Sequence, residues 1–294
     1  MKVTSEYPKC PTALSPAQIA QYHRDGYLAF TDVLSPAEVE QARTGLSNLI
    51  RRAQHRTDFV LREGGPFRKL YSPSTRYYIQ IESTAKGENL RALPDSDFEL
   101  TVRKLTCFSE ADPFYSFLEN QHPRVQGVVE SLLDAHPTCF GEMALIKPPL
   151  IGTEKPWHQD TAYFSITPLD AVLTAWIALD DATIENGCMH VLTGEHKLGP
   201  RRHHHTFDCE IVPDRRETSR AVPVELPAGG AMFFSGLLPH QTPPNQSPDR
   251  RRALQFQYRS ASSQIVSREE YDRVFAEADG TPASCAAAPA KNKG

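Results

Sequence analysis

The tetrapeptide Trp157-His158-Gln159-Asp160 sets an imidazole and a carboxylate two residues apart. In an extended segment side chains alternate faces, so His158 and Asp160 point one way and Gln159 the other. An imidazole and a carboxylate on a common face make two-thirds of a facial triad. Such a triad suits non-haem Fe(II), because three protein ligands leave three octahedral positions open. The third ligand must come from elsewhere in the chain. His240, in Leu237-Leu238-Pro239-His240, follows the apolar run Ala231–Ser235 and lies 80 residues after Asp160, which makes it the candidate. Alone, a His-x-Asp pair is commonplace on surfaces, and a single histidine at a strand end is usually structural.

A charge eleven residues past His240 shifts the balance. Arg250-Arg251-Arg252-Ala253-Leu254-Gln255-Phe256-Gln257-Tyr258 reads as a strand. Alternation groups Arg252 with Leu254, Phe256 and Tyr258, and Arg251 with Ala253, Gln255 and Gln257. If the apolar face packs outward, Arg251 enters the polar interior of the β core. A guanidinium there needs an anion, since an unpaired buried charge is costly. The distal carboxylate of 2-oxoglutarate, held bidentately, supplies one. Arg250 reads as a solvated neighbour.

These residues need a scaffold. Ser15-Pro16-Ala17-Gln18 and Ser35-Pro36-Ala37-Glu38 each combine an N-cap serine, a proline at the first helical position and Gln or Glu at the third. Val39, Ala42, Leu46, Leu49, Ile50 and Ala53 then follow at helical spacing. A further stripe after Pro123 (Val125, Val128, Val129, Leu132, Leu133) and the start at Ser267 predict two more helices. The first half is therefore expected to be largely helical. From about Thr138 the texture becomes β-rich, in the runs Cys139–Ile146, Ala171–Leu179, Met189–Thr193, Ala221–Leu226, Ala231–Ser235 and Ala253–Tyr258. Turn signals such as Glu185-Asn186-Gly187 and Pro227-Ala228-Gly229-Gly230 separate them. Many short strands with such punctuation predict a sandwich or barrel. The expected fold class is mainly β with flanking α. A double-stranded β-helix (jelly-roll, cupin-like) core over about 138–258 is buttressed by N-terminal helices. Residues 1–280 read as one domain, and the Ala/Pro/Lys-rich stretch 281–294 as a disordered tail.

Bulk properties exclude several classes. A net charge of −4 with both signs spread along the chain gives no nucleic-acid footprint and no polybasic membrane patch. No apolar run approaches the roughly 20 residues that span a bilayer, and the N-terminus lacks an apolar signal region. A soluble, cytoplasmic protein is expected. The six cysteines form no C-x-x-C pair and read as free thiols.

The sequence resembles the phytanoyl-CoA dioxygenase-like branch of the 2-oxoglutarate oxygenases, from Asp25-Gly26-Tyr27 to about Tyr258. The similarity runs through Ile146-Lys147-Pro148-Pro149, Trp157-His158-Gln159-Asp160, Thr174-Ala175-Trp176-Ile177-Ala178-Leu179-Asp180, Glu185-Asn186-Gly187-Cys188, Gly194-Glu195-His196-Lys197 and the spacing from His240 to Arg251. The chain departs from the usual family text at Gly194-Glu195-His196, where Gly-Ser-His is common, and at Gly229-Gly230, where Gly-Asp is common. The resemblance implies iron on His158, Asp160 and His240, and the distal carboxylate of 2-oxoglutarate on Arg251. It also implies that Lys104, Met143, Trp176 and Thr242 line the cosubstrate pocket. The implied reaction consumes O2 and 2-oxoglutarate, releases succinate and carbon dioxide, and hydroxylates or otherwise oxidises a small organic molecule. An aspartate at 160, where related halogenases carry Ala or Gly, argues against halogenation.

Around the triad, Arg76-Tyr77-Tyr78-Ile79-Gln80 and Thr161, Tyr163 and Phe164 are candidate substrate walls. Among them Tyr77, Gln80, Thr161 and Phe164 are the expected contacts. Rich in aromatics and poor in charge, they predict a mid-sized, partly apolar substrate, with no nucleic-acid or membrane partner. His203-His204-His205 reads as a loop, either a mobile lid over the pocket spanning Gly199–Arg220 or a plain solvated loop. The rival reading is a catalytically silent jelly roll that binds metal or a small molecule. A binder has no need of open iron positions, so the intact triad with Arg251 favours the enzyme.

Overall fold

Both Ser-Pro devices open helices as the sequence predicts. Ser15 and Ser35 cap Pro16–Asp25 and Pro36–His55, and each serine and its third-position Gln or Glu satisfy one another's backbone N–H groups. Gly26, at φ 86°, ends the first helix. A Cβ there would also stand 2.5 Å from the His196 ring. The longer helix buries Val39, Ala42, Leu46, Leu49, Ile50 and Ala53 along one stripe. Pro123–Leu133 and Arg268–Val274 complete the predicted set, the latter capped by Ser267. This is a computed structural model, and it describes residues 6–62, 67–85, 89–133, 136–205, 207–212 and 218–285.

Two antiparallel sheets face one another. The larger has nine strands in the spatial order Tyr27–Phe30, Ala231–Ser235, Val172–Ala178, Arg251–Arg259, Thr138–Lys147, Val102–Thr106, Tyr78–Ile81, Lys69–Tyr71 and Val60–Arg62. The smaller orders Val222–Val224, Met189–Val191, His240–Thr242 and Lys155–His158. Trp176, Met232, Phe234 and Ala253 of the large sheet pack against Met189, Val191 and Val224 of the small one. On the outer face of the large sheet, Ala144, Leu173, Ala175, Ile177, Leu254 and Phe256 meet the apolar stripes of the N-terminal helices. Helices therefore cover one face and the smaller sheet the other, in a mainly β, jelly-roll (cupin-like) architecture.

The expectation of a largely helical first half is corrected. Four strands between Val60 and Thr106 extend the large sheet, and Tyr27–Phe30 edges its other side. Each is three to five residues long, too short for a period-2 pattern to stand out. Their pairing partners supply the signal that local sequence lacks. The core thus begins well before residue 138. It also ends later than expected. Ala276 bridges Pro282, Ala283 and Ser284 are fully buried, and Cys285 is joined to Cys209 in a disulfide with Cα atoms 5.8 Å apart. Of the expected tail, 281–285 is packed and 286–294 lies outside the described residues. The reading of six free thiols fails for this one pair, whose separation of 76 residues hides it from spacing rules. Cys10, Cys107, Cys139 and Cys188 are free.

Candidate metal centre

Two strands of the smaller sheet bring the histidines together. In the antiparallel pairing of Lys155–His158 with His240–Thr242, His158 and His240 are direct cross-strand partners. Their ring centroids lie 4.1 Å apart. The chain stays extended through Gln159 (φ −114°, ψ 130°) and turns at Asp160, so the carboxylate falls on the same side as His158. Asp160 Oδ1 sits 3.5 Å from His158 Nε2 and 3.7 Å from His240 Nε2. All three ligand atoms lie within 4.8 Å of one another, and all three residues are buried.

The remaining polar atoms of the three side chains are tied down. His158 Nδ1 donates to the Pro156 carbonyl at 2.8 Å, and His240 Nδ1 to the Leu238 carbonyl at 2.9 Å. With those protons placed, each Nε2 lone pair faces the centre, as metal binding requires. Asp160 Oδ2 accepts from Thr174 Oγ1 at 2.6 Å and from Gln257 Nε2 at 3.3 Å, leaving Oδ1 for an ion. Burial drives the His158 pKa down to about 3, helped by His240 and Lys155. His240 is lowered as well, again chiefly by burial. For Asp160 burial works toward a raised pKa, but the two histidines and Thr174 outweigh it and hold the carboxyl below its usual range. The ligands therefore stand deprotonated at neutral pH, and two imidazoles with one carboxylate fit a divalent first-row ion.

The cavity beside this centre has a volume of about 570 Å³, within the usual size of a small-molecule site. Arg251 enters it from the large sheet and is 1% exposed. Its guanidinium lies 5.3 Å from the Trp176 ring centroid and makes one long contact, 3.4 Å to the Leu145 carbonyl. Its Nε has no hydrogen-bond partner among the described residues. Burial pushes its pKa down to about 10. By contrast, Arg252 faces away and forks onto Asp180, with two contacts of 2.8 Å. Arg250 pairs with Glu99 at 2.6 Å, which corrects its reading as merely solvated. The alternation drawn for the arginine run holds.

Residues 22–253 match the family described as phytanoyl-CoA dioxygenase (PhyH). The chain belongs to that family. It is 27% identical over 286 residues to the phytanoyl-CoA dioxygenase domain-containing protein 1 of Bos taurus, covering 88% of this chain and 94% of the relative. Among solved structures it is similar to EvdO2 from Micromonospora carbonacea var. aurantiaca, at 25% identity and a TM-score of 0.60, covering 91% of this chain and 96% of that one. EvdO2 is also known complexed with 2-oxoglutarate. The epimerase SnoN, solved with Fe3+, alpha ketoglutarate and nogalamycin RO, shares the fold at 20% identity and a TM-score of 0.60, covering 88% of this chain and 90% of that one.

The structure of this phytanoyl-CoA dioxygenase family member sorts the other expected contacts. Lys104, Met143, Thr242, Gln80 and Phe164 line the cavity. Trp176 does not; it is fully buried and its ring packs against the Arg251 guanidinium. Tyr77 is corrected: it faces the helical side, 5.2 Å from the Phe59 ring, while Arg76, Tyr78 and Gln80 face the cavity. Strand alternation separates them, so choosing one tyrosine of the pair required the register. Thr161 is also corrected. Its backbone is held by Gly236 and by the Tyr271 hydroxyl, and its side chain packs away from the cavity against Gly236.

The charge expectation fails too. Lys69, Arg76, Arg103, Lys104, Lys147 and Lys155 join Arg251 in the lining, so the cavity is far more cationic than the aromatic-rich segments imply. Burial, with Lys155 nearby, brings the Lys104 pKa down to about 8. Nor is the histidine run a loop. His203–His205 is a strand paired with Cys209–Ile211. Buried His203 accepts from the Gln159 N–H at 3.0 Å and thereby props the segment between two of the triad residues. Thr174 and Gln257, the partners of Asp160, went unassigned in sequence. The signal was available, because each shares its strand face with a site residue, Trp176 or Arg251.

Proposed function

We propose that the chain is an iron(II)- and 2-oxoglutarate-dependent oxygenase that oxidises a small organic molecule and releases succinate and carbon dioxide. The observation that carries this reading is the pairing of two features. A buried two-histidine, one-carboxylate cluster has its outer atoms already hydrogen-bonded, and a buried guanidinium in the same cavity has no carboxylate partner among the described residues.

In this reading His158, Asp160 and His240 hold the iron. The bound metal supplies the oxidising chemistry, drawing on O2 and the decarboxylation of 2-oxoglutarate. Pro156 and Leu238 fix the histidine tautomers, and Thr174 with Gln257 keeps Asp160 in one rotamer. Arg251 takes the distal carboxylate, with Trp176 stiffening the guanidinium from behind. Lys104, Met143 and Thr242 complete the cosubstrate wall, and Gln80, Tyr78 and Phe164 face the substrate. The closed, hydrogen-bonded surroundings orient the reactants, which is the main contribution a protein makes to such chemistry.

The test is anaerobic titration with Fe(II) and 2-oxoglutarate, followed by succinate release in air against a metabolite library. A metal-to-ligand absorption band that a library compound perturbs, with succinate formed in step, is the expected result. A protein that binds iron but shows neither band nor succinate with any cosubstrate concentration would be the silent jelly roll.

A further inference from the structure

A second buried cation shares the face and the cavity of Arg251. Lys147, the lysine of the Ile146-Lys147-Pro148-Pro149 motif, is 4% exposed. In the antiparallel pairing of Thr138–Lys147 with Arg251–Arg259 it is the direct partner of Arg251. Directly opposed residues project to the same side of a sheet, and like charges in that relation repel. Here both are also shut away from water, so the arrangement is unfavourable unless something anionic joins it.

Two of the nearby carboxylates, Glu82 and Asp180, are committed elsewhere. Glu82 accepts from the Thr153 backbone at 3.0 Å and from its hydroxyl at 2.8 Å. Asp180 is taken by Arg252 at 2.8 Å and Arg43 at 3.1 Å. Among the described residues the Lys147 ammonium donates to two neutral acceptors, the carbonyls of Thr153 at 2.5 Å and Thr242 at 3.3 Å. An ammonium has three donors, so one N–H remains for the cavity. Burial first, and Arg251 second, depress its pKa well below the ordinary lysine value.

The chain makes specific room for this side chain. A Cβ at Gly152 would stand 2.8 Å from Lys147 Cβ, and one at Gly187 would stand 3.0 Å from its Cδ and 2.3 Å from the Pro243 carbonyl. The Asn245 amide grips the Lys147 and Pro148 carbonyls at 3.1 and 3.0 Å and fixes where the strand ends. Two sequence motifs, Ile146-Lys147-Pro148-Pro149 and Glu185-Asn186-Gly187-Cys188, thus converge on the path of one lysine.

We propose that Lys147 is the second cation of the distal-carboxylate pocket, sharing the cosubstrate's far carboxylate with Arg251. The inference rests on the 2-oxoglutarate reading above. Two cations on one carboxylate make the site select a dicarboxylic 2-oxo acid over a monocarboxylic one, because only the former relieves their repulsion.

The experiment compares the affinities of 2-oxoglutarate and 2-oxobutyrate, which lacks the distal carboxylate, for the Fe(II)-loaded protein by the chelate band under argon. Wild type should prefer 2-oxoglutarate strongly. K147Q keeps a neutral donor for the two carbonyls but loses the charge, and its preference should fall ten- to hundredfold while 2-oxobutyrate affinity stays within about twofold. K147M, read in the same way, serves should K147Q not fold. An unchanged preference in the folded variant, or an equal loss for both acids, makes Lys147 a purely structural tether and overturns the proposal. Absence of a band in the wild type with either acid would instead sink the 2-oxoglutarate reading itself.

Discussion

Replacing Arg251 by Gln should change affinity and stability in opposite directions. In the unliganded fold the guanidinium is buried and makes one long hydrogen bond, and burial pushes its pKa from the ordinary arginine value down to about 10. At about 1.4 kcal/mol per unit, that depression corresponds to roughly 3 kcal/mol of unfavourable charge burial. Part of it is offset by the contact with Trp176, on the order of 1–2 kcal/mol for a desolvated cation over an aromatic ring. Arg251→Gln should therefore stabilise the unliganded protein by about 1–2 kcal/mol, a rise in Tm of several degrees. The same substitution removes the charge-assisted grip on the distal carboxylate, worth about 2–5 kcal/mol when the other charge stays buried. Cosubstrate Kd should then rise at least thirtyfold, with iron binding unaffected. Arg250→Gln loses the exchange with Glu99 at a quarter-exposed site, and should leave cosubstrate affinity within about twofold of wild type. Differential scanning calorimetry of the unliganded proteins and chelate-band titration of the iron-loaded ones measure both effects. A cosubstrate defect in Arg250→Gln with none in Arg251→Gln would show the strand register to be wrong by one, and a fall in Tm for Arg251→Gln would refute the charge-burial argument.

Other consequences can be checked separately. His158→Ala, Asp160→Ala and His240→Ala should each abolish succinate formation and iron retention while the far-ultraviolet circular dichroism stays native; full activity in any one removes that residue from the triad. Between pH 8 and 10 the cosubstrate Kd should climb up to tenfold per unit as unliganded Lys104, with its pKa near 8, loses its proton, and Lys104→Met should flatten that profile. The segment 199–220, part of which lies outside the described residues, should exchange amide hydrogens faster than Val172–Ala178. Within it the paired strands His203–His205 and Cys209–Ile211 should be the protected part, held by Cys285 and by the Ala283 carbonyl at 2.9 Å from His203 N. Cys285→Ser should remove that protection, and a hairpin equally protected in both proteins would show that the disulfide is not what holds it.

The chemistry was more legible in the sequence than the scaffold around it. His158, Asp160 and Arg251 follow from strand alternation alone, which needs only local backbone geometry. His240 sits on the strand beside His158 but far from it in sequence, and only its place after the apolar run Ala231–Ser235 and its spacing in the family text marked it. The helix starts were equally local, since a capping serine and its third-position acid satisfy each other within one turn. What failed depended on contacts distant in sequence. The strands at Val60–Arg62 and Lys69–Tyr71 exist because each leans on the next, the Cys209–Cys285 bond because the C-terminus folds back over the hairpin, and the cationic lining because those short strands carry Lys69 and Lys104 inward. Tyr77 and Thr161 were misplaced for the same reason, one residue of register in each case separating cavity from core.

Several unfavourable features of this molecule lie on the Arg251 side of the cavity. Arg251 Nε and Trp176 Nε1 are buried without hydrogen-bond partners among the described residues, Lys147 and Arg251 oppose one another across a strand pair, and Lys104 lines the same cavity with its pKa lowered to about 8 by burial. Native proteins leave few such groups unsatisfied, and those that persist concentrate at functional sites. The metal ligands show the reverse: every non-ligating polar atom of His158, Asp160 and His240 has a hydrogen-bond partner. The difference follows from what each half must do. Ligands to a resident ion gain from being fixed in advance, because ordering them then costs nothing on binding. A pocket for a consumed dianion gains from cations that only the dianion can satisfy, because the relief of their repulsion is withheld from monoanions and from water. Substitutions around the triad should therefore lower stability and activity together, whereas substitutions that remove a cation from the Arg251 side should trade one for the other.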